Sequence, residues 1–192
     1  NSARAVIATT SGGGVEARGA SLALANLSFQ NNRAAAPGGA LRAIGDLAIT
    51  GGGFTANEAE FGGAIALAQG SGSTISISDA RFDGNRAVAT PGGADDDGGA
   101  IHADLDTLAT LSGNSFTGNS AAGSGGAIFF RDNATEAAVG SLGLGFNRIA
   151  GNTAAAGSGL FVASGLAGAE NSWWGCNAGP GAAPCDRVVG PA

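Results

Sequence analysis

The only histidine of the chain stands in the run His102-Ala-Asp104-Leu-Asp106. On an extended strand, residues two apart share a face, so His102, Asp104 and Asp106 would point the same way. An imidazole beside two carboxylates is a set that general acid–base chemistry on a glycosidic bond could use. A second acidic group, Asp95-Asp96-Asp97, offers the oxygen ligands that Ca²⁺ takes. Its loop lacks regular ligand spacing, so it reads as a solvated acidic loop, and no metal or cofactor is expected. The third candidate is Cys176 and Cys185, nine positions apart in a Pro/Gly-rich loop. Two ligands alone do not hold a structural metal.

These residues have to be positioned by something, and the chain supplies a repeated cassette. An aromatic followed three residues later by Asn recurs at Phe29-x-x-Asn32, Phe54-x-x-Asn57, Phe82-x-x-Asn85 and Phe116-x-x-Asn119. Ile149-x-x-Asn152 and Trp174-x-x-Asn177 continue it, the anchors being 25, 28, 34, 33 and 25 residues apart. Upstream, apolar residues stand seven and five before the first five anchors (Leu22 and Leu24, Leu47 and Ile49, Ile75 and Ile77, and so on), which is strand periodicity. Downstream, a Gly-rich turn opens a second alternating strand at Gly38-Gly-Ala-Leu41, Gly62-Gly-Ala-Ile65, Gly98-Gly-Ala-Ile101 and Gly125-Gly-Ala-Ile128. No helical segment lies between. Repeats of this length and content stack as the coils of a solenoid.

The expected fold is therefore all-β, a single-stranded parallel β-helix of about six to seven coils. One domain covers 1–192: a partial first coil over 1–12, repeat coils over 13–170, and a Trp/Cys coil and tail over 171–192. Stacking would place Phe29, Phe54, Phe82 and Phe116 on one another at the ~4.8 Å spacing of adjacent strands. Asn32, Asn57, Asn85, Asn119 and Asn152 would form a corner ladder of side-chain amides. The outward column after the Gly-opened turn runs Glu16, Arg42, Ala66, His102, Phe129, Phe161. Phe129 and Phe161 are thus expected either as an exposed contact surface or beneath a neighbouring loop.

The paired GGA-[IL] and FxxN motifs resemble those of the polymorphic outer-membrane protein family, whose passengers are right-handed β-helices that act largely as surface adhesins. The ending Asn171-Ser-Trp-Trp-Gly-Cys-Asn177-Ala-Gly-Pro180 is similar to the terminal coil of many bacterial secreted right-handed β-helix repeat proteins. The resemblance spans about residues 13 to 180 and implies a right-handed helix, secretion or cell-surface display, and adhesion. In an exported protein, Cys176 and Cys185 are expected as a disulfide. No membrane-barrel domain follows the repeats, so autotransport by this chain itself is not expected.

A net charge of −6, with nine basic residues that form no cluster, argues against nucleic acid and anionic membranes as partners. No apolar run reaches the ~20 residues of a membrane span. The chain starts at Asn1 without Met and reads as a processed product or a fragment. Ala5, Val6 and Ile7 at one end, and Arg187, Val188 and Val189 at the other, are short apolar strands with open edges. They are expected to join copies head to tail into a filament. Function is expected to be non-enzymatic, structural or adhesive, with the partner either a second copy or a host or cell-surface ligand. The alternative is a carbohydrate-active enzyme on the His102/Asp104/Asp106 face, with Arg42 in the same column. It lacks the aspartate pairs of pectin hydrolases and the basic set of lyases.

Overall fold

The structure, a computed structural model, describes residues 13–19, 21–68, 73–89, 96–133 and 139–191. Among these residues every regular element is a strand, and every pairing is parallel. The chain visits four sheets in turn and repeats the circuit, which makes it a parallel β-helix. Val15–Arg18 begins a seven-stranded sheet, Leu22–Ala25 a six-stranded one and Ser28–Gln30 a five-stranded one. Glu58–Ala59 belongs to a three-stranded sheet, and the chain then returns to the first.

The Gly-Gly pair sets the return. At Gly62 φ is +59°, a region closed to most side chains, and a Cβ there would strike the backbone of Ile65. Gly63 has no such φ; a Cβ on it would run into the carbonyl of Gly99 and the backbone of Arg86, one coil away. One glycine serves the turn and the other serves the contact between coils. After them the alternation is fixed: Leu41, Ile65, Ile101, Ile128 and Leu160 pair in register and point inward, all buried.

The same registration stacks the anchors. Rings of Phe29, Phe54, Phe82 and Phe116 follow one another at 5.1, 4.9 and 4.7 Å between centroids, nearly parallel. Ile149 pairs next to Phe116, and Trp174 is buried in the same core. Burying each ring contributes about 1.5–3 kcal/mol, against about 0.5–1.5 kcal/mol for the stacking geometry, so an aliphatic can replace a ring in the column.

Each buried Asn of the FxxN column closes its hydrogen bonds through the neighbouring coils. Nδ2 of Asn32, Asn57, Asn85 and Asn119 donates to Oδ1 of Asn57, Asn85, Asn119 and Asn152 at 2.8, 2.9, 2.9 and 2.9 Å. The second Nδ2 hydrogen of Asn57, Asn85, Asn119 and Asn152 goes back to the carbonyl of the Phe one coil earlier. Each Oδ1 also accepts the backbone N–H of the preceding Asn. A second, shorter ladder runs two residues before the anchors, where Asn114 Nδ2 donates to Asn147 Oδ1 at 3.1 Å.

The corner between the six- and five-stranded sheets carries, three residues before each anchor, a residue in the left-handed region. These are Asn26, Gly51, Asp79, Gly113, Phe146 and Asn171, with φ of 53, 66, 55, 69, 55 and 54°. Gly, Asn and Asp enter that region readily. Phe146 is the exception.

The last coil is tied together within the chain. Cys176 and Cys185 are bonded, Cα–Cα 5.1 Å, and bracket a loop that leaves the coil. The slot three past Trp174 would have gone to Asn177, but Asp186 fills it. Asp186 stands nine positions further on, the same interval as between the two cysteines. Its Oδ2 accepts from Asn152 Nδ2 at 2.6 Å and Asn152 N at 3.1 Å. Val188–Val189 then pairs with Leu160–Val162 as the last strand of the seven-stranded sheet.

Asn85→Ala removes the acceptor of two Asn57 donors and the donor to Phe54. It is expected to cost about 1–3 kcal/mol, read as a lower midpoint in thermal and urea unfolding; an unchanged midpoint would show that the ladder carries no stability.

Candidate functional site

The His102 cluster is built by the strand Ile101–Leu105, opened by Gly98-Gly99. Ile101, Ala103 and Leu105 fill the core, which leaves His102 and Asp104 on the outer face. The strand ends at Leu105, so Asp106 sits in the following turn rather than completing a row. The outer column is in register as Glu16, Arg42, Ala66, His102, Phe129, Phe161 and finally Val189.

That face is outward but not open. His102 is 1 % exposed, with Phe61 tilted over it at 4.5 Å and Phe129 stacked on it at 4.7 Å. Neither ring nitrogen makes a hydrogen bond; Nε2 is 3.7 Å from Asp104 Oδ2, beyond hydrogen-bond reach. Asp104 is held by Arg131, its register partner, through two bonds of 2.7 Å from Nε and Nη2. Burial would raise the Asp104 carboxyl; the His102 ring and the Arg131 guanidinium beside it outweigh this and hold it at about 2. Arg42, in the same column, is paired instead with the buried Glu16 at 3.2 Å. A covered imidazole and a carboxylate fixed to an arginine offer a substrate neither acid nor base. The expectation of an outward, accessible His/Asp face is thus corrected: Phe61 folds over the outside of the sheet.

Two further expectations bear on the outer surface, and for Phe129 the covered alternative holds. Phe129 is 4 % exposed and stacks between His102 and Phe161, so it is no contact surface; Phe161 is half-buried. Arg187, Val188 and Val189 are not free to be donated, because Val188–Val189 is already paired in its own chain. Ala5, Val6, Ile7 and Asp95 lie outside the described residues. Asp97 accepts from the backbone N–H of Ser124 and braces the turn of the next coil. Among the described residues no three His, Cys, Asp or Glu side chains are grouped to hold a metal.

The exposed apolar side chains lie elsewhere. Phe146 is 73 % exposed at its left-handed corner, with Leu108 and Leu166 exposed on the six-stranded sheet beside it. Trp173 is 40 % exposed, and the Arg148 guanidinium lies 5.1 Å from its ring centre. A groove of about 360 Å³ lies along the outer face of this sheet, lined by Thr110, Ser112, Gly143, Gly145, Phe146 and Glu170 among others. Sequence reasoning missed this corner. Phe146 stands three before the Ile149 anchor, where Asn, Gly or Asp occur in the other coils.

The Asp104 pair ties stability to acid. Its carboxyl has a pKa of about 2 in the fold against 3.8 unfolded, so its contribution is complete above about pH 4 and is lost as pH falls through 2. Arg131→Met is expected to bring the Asp104 carboxyl back toward its ordinary range and to flatten this part of the stability–pH curve. Urea unfolding between pH 7 and 2, with the carboxyl followed by ¹³C NMR, checks both.

Comparison with known families gives a match. Residues 26–44 and 115–131 fit the repeat of the Chlamydia polymorphic membrane proteins, each segment carrying an FxxN motif and leading into a GGA-[IL] turn and strand. No curated protein and no solved structure matches the chain. The chain is a parallel β-helix repeat protein, with two of its segments matching the Chlamydia polymorphic membrane protein repeat.

Proposed function

We propose that this chain is a secreted, non-catalytic β-helix displayed at a cell surface, where it acts in structure and adhesion. The observation that carries the reading is the state of the one acid–base cluster. His102 is packed under Phe61, and Asp104 is bound to Arg131. The enzyme alternative therefore has no accessible acid pair on that face. The repeat match supports the same reading. A rigid cylinder with satisfied inner columns leaves its outer columns free to vary, which is what a contact surface needs.

Beads coated with the chain are expected to attach to cultured host cells, while the protein leaves polygalacturonate and alginate uncleaved. Release of reducing ends or unsaturated uronates would overturn the non-catalytic reading.

Self-association is a second possibility with its own observation. Among the described residues Val188–Val189 is paired on one side only, so its outer edge can take a strand from another copy. Sedimentation velocity should then show concentration-dependent association, reduced in Val188→Pro, which cannot donate from that edge. A single monomeric species at all concentrations would remove it.

A further inference from the structure

Phe146 is the one bulky side chain among the left-handed corner residues, and it projects into solvent. Asn, Asp or Gly holds the corner in the other coils at little conformational cost. Packing gives no reason for Phe here, since most of the ring touches nothing.

The floor beside it is equally unexplained by the fold. Gly143 and Gly145 lie within a strand, on its outer face, without positive φ. A Cβ on Gly145 would meet nothing within 4 Å, and one on Gly143 only the Ala109 carbonyl at 3.8 Å. Gly168, in register with Gly143 one coil on, is likewise open. Glycine weakens a strand, and where the backbone does not need it, it often marks close approach of another molecule. In the preceding coil the same register carries Thr110 and Ser112, whose hydroxyls border the bare floor. Glu170 supplies a carboxylate at the groove, and Leu108 and Leu166 stand exposed at the other end of the same strands, in register with Ser141.

We propose that this corner is a binding platform for a neutral glycan, with a sugar ring stacked on Phe146 above the glycine floor. It deepens the adhesive reading and rests on it. The chemistry selects the occupant. The strand Ser141–Gly145 is paired along its whole length to Leu108–Ser112 and over Ser141–Gly143 to Leu166–Gly168, so it is an interior strand, whereas an extended peptide docks at sheet edges. What the face offers is an aromatic ring, two hydroxyls and a carboxylate acceptor. Those groups suit a ligand with apolar C–H faces and many hydroxyls. A volume of about 360 Å³ accommodates one or two sugar rings. Glu170 and the net charge of −6 disfavour sialylated or uronic acid chains.

The full chain would be tested on a printed array of neutral and acidic glycans, with the strongest neutral hit then titrated by calorimetry. Neutral glycans should be retained and acidic ones not. Phe146→Asn should raise the thermal midpoint by about 2 °C, because the corner strain is relieved, while weakening glycan binding about tenfold or more. Gly145→Val, which fills the floor in an unstrained strand position, should weaken binding similarly without loss of fold. Retention of no neutral glycan, or unchanged binding in both folded variants, overturns the platform. If coated beads still attach to cells while the array stays blank, adhesion stands and the glycan platform falls. If beads attach to nothing, the adhesive reading itself fails.

Discussion

An Asn buried at a corner of this cylinder has two N–H groups and an acceptor oxygen with no water to serve them. Only the coils before and after can satisfy them, and they do so only when the chain is in register. For Asn85 the partners are Asn57 and Phe54 in the coil before and Asn119 in the coil after. A slip of one residue would bury an unpaired amide and turn the inward column out. The ladder therefore specifies register, while the Phe, Ile and Leu columns supply the bulk of the burial. Neither is sufficient alone, since apolar columns of similar shape could slide past one another.

The ladder also has a direction, because each Nδ2 donates toward the C-terminal neighbour. A chain of donors of this kind must end on an acceptor. Asp186 is that end: a carboxylate accepts from Asn152 and has no amide that would need a further coil. The disulfide makes the placement possible, since it removes nine residues from the circuit and returns the chain at the slot that Asn would have held. Val188–Val189 then covers the last full strand. Three separate columns are thus closed by one short C-terminal segment.

The inward half of this architecture was legible from the residues because a solenoid states every position once per coil. The anchors, the apolar pairs before them and the Gly-Gly turns were each readable as columns. What escaped is also physical. Alternation assigns a side chain to the inner or outer face of a strand, but it does not say whether a turn then folds over the outer face. Phe61 does, so His102 and Phe129 are outward and buried at once. The Asn114–Asn147 ladder was visible as Asn two before the anchor but had only two members and no period to announce it. Asp186 was hidden because the excursion from Cys176 to Cys185 shifts the count.

The two outer faces have consequently diverged. On the seven-stranded sheet the outward column has become a second, smaller core, with His102, Phe129 and Phe161 stacked and Asp104 fixed to Arg131. Substitution there disturbs packing. On the six-stranded sheet the outward residues of the later coils are uncovered and, apart from Leu108 and Leu166, small, and the corner beside them carries an exposed ring. Substitution there removes no core packing and changes what the protein presents to its surroundings. A fold whose register is held from within can accept the conformational cost of Phe146 at a corner, because neither ladder nor apolar column passes through that side chain. The surface most free of structural duty is thus the one that has kept an aromatic residue the fold does not use.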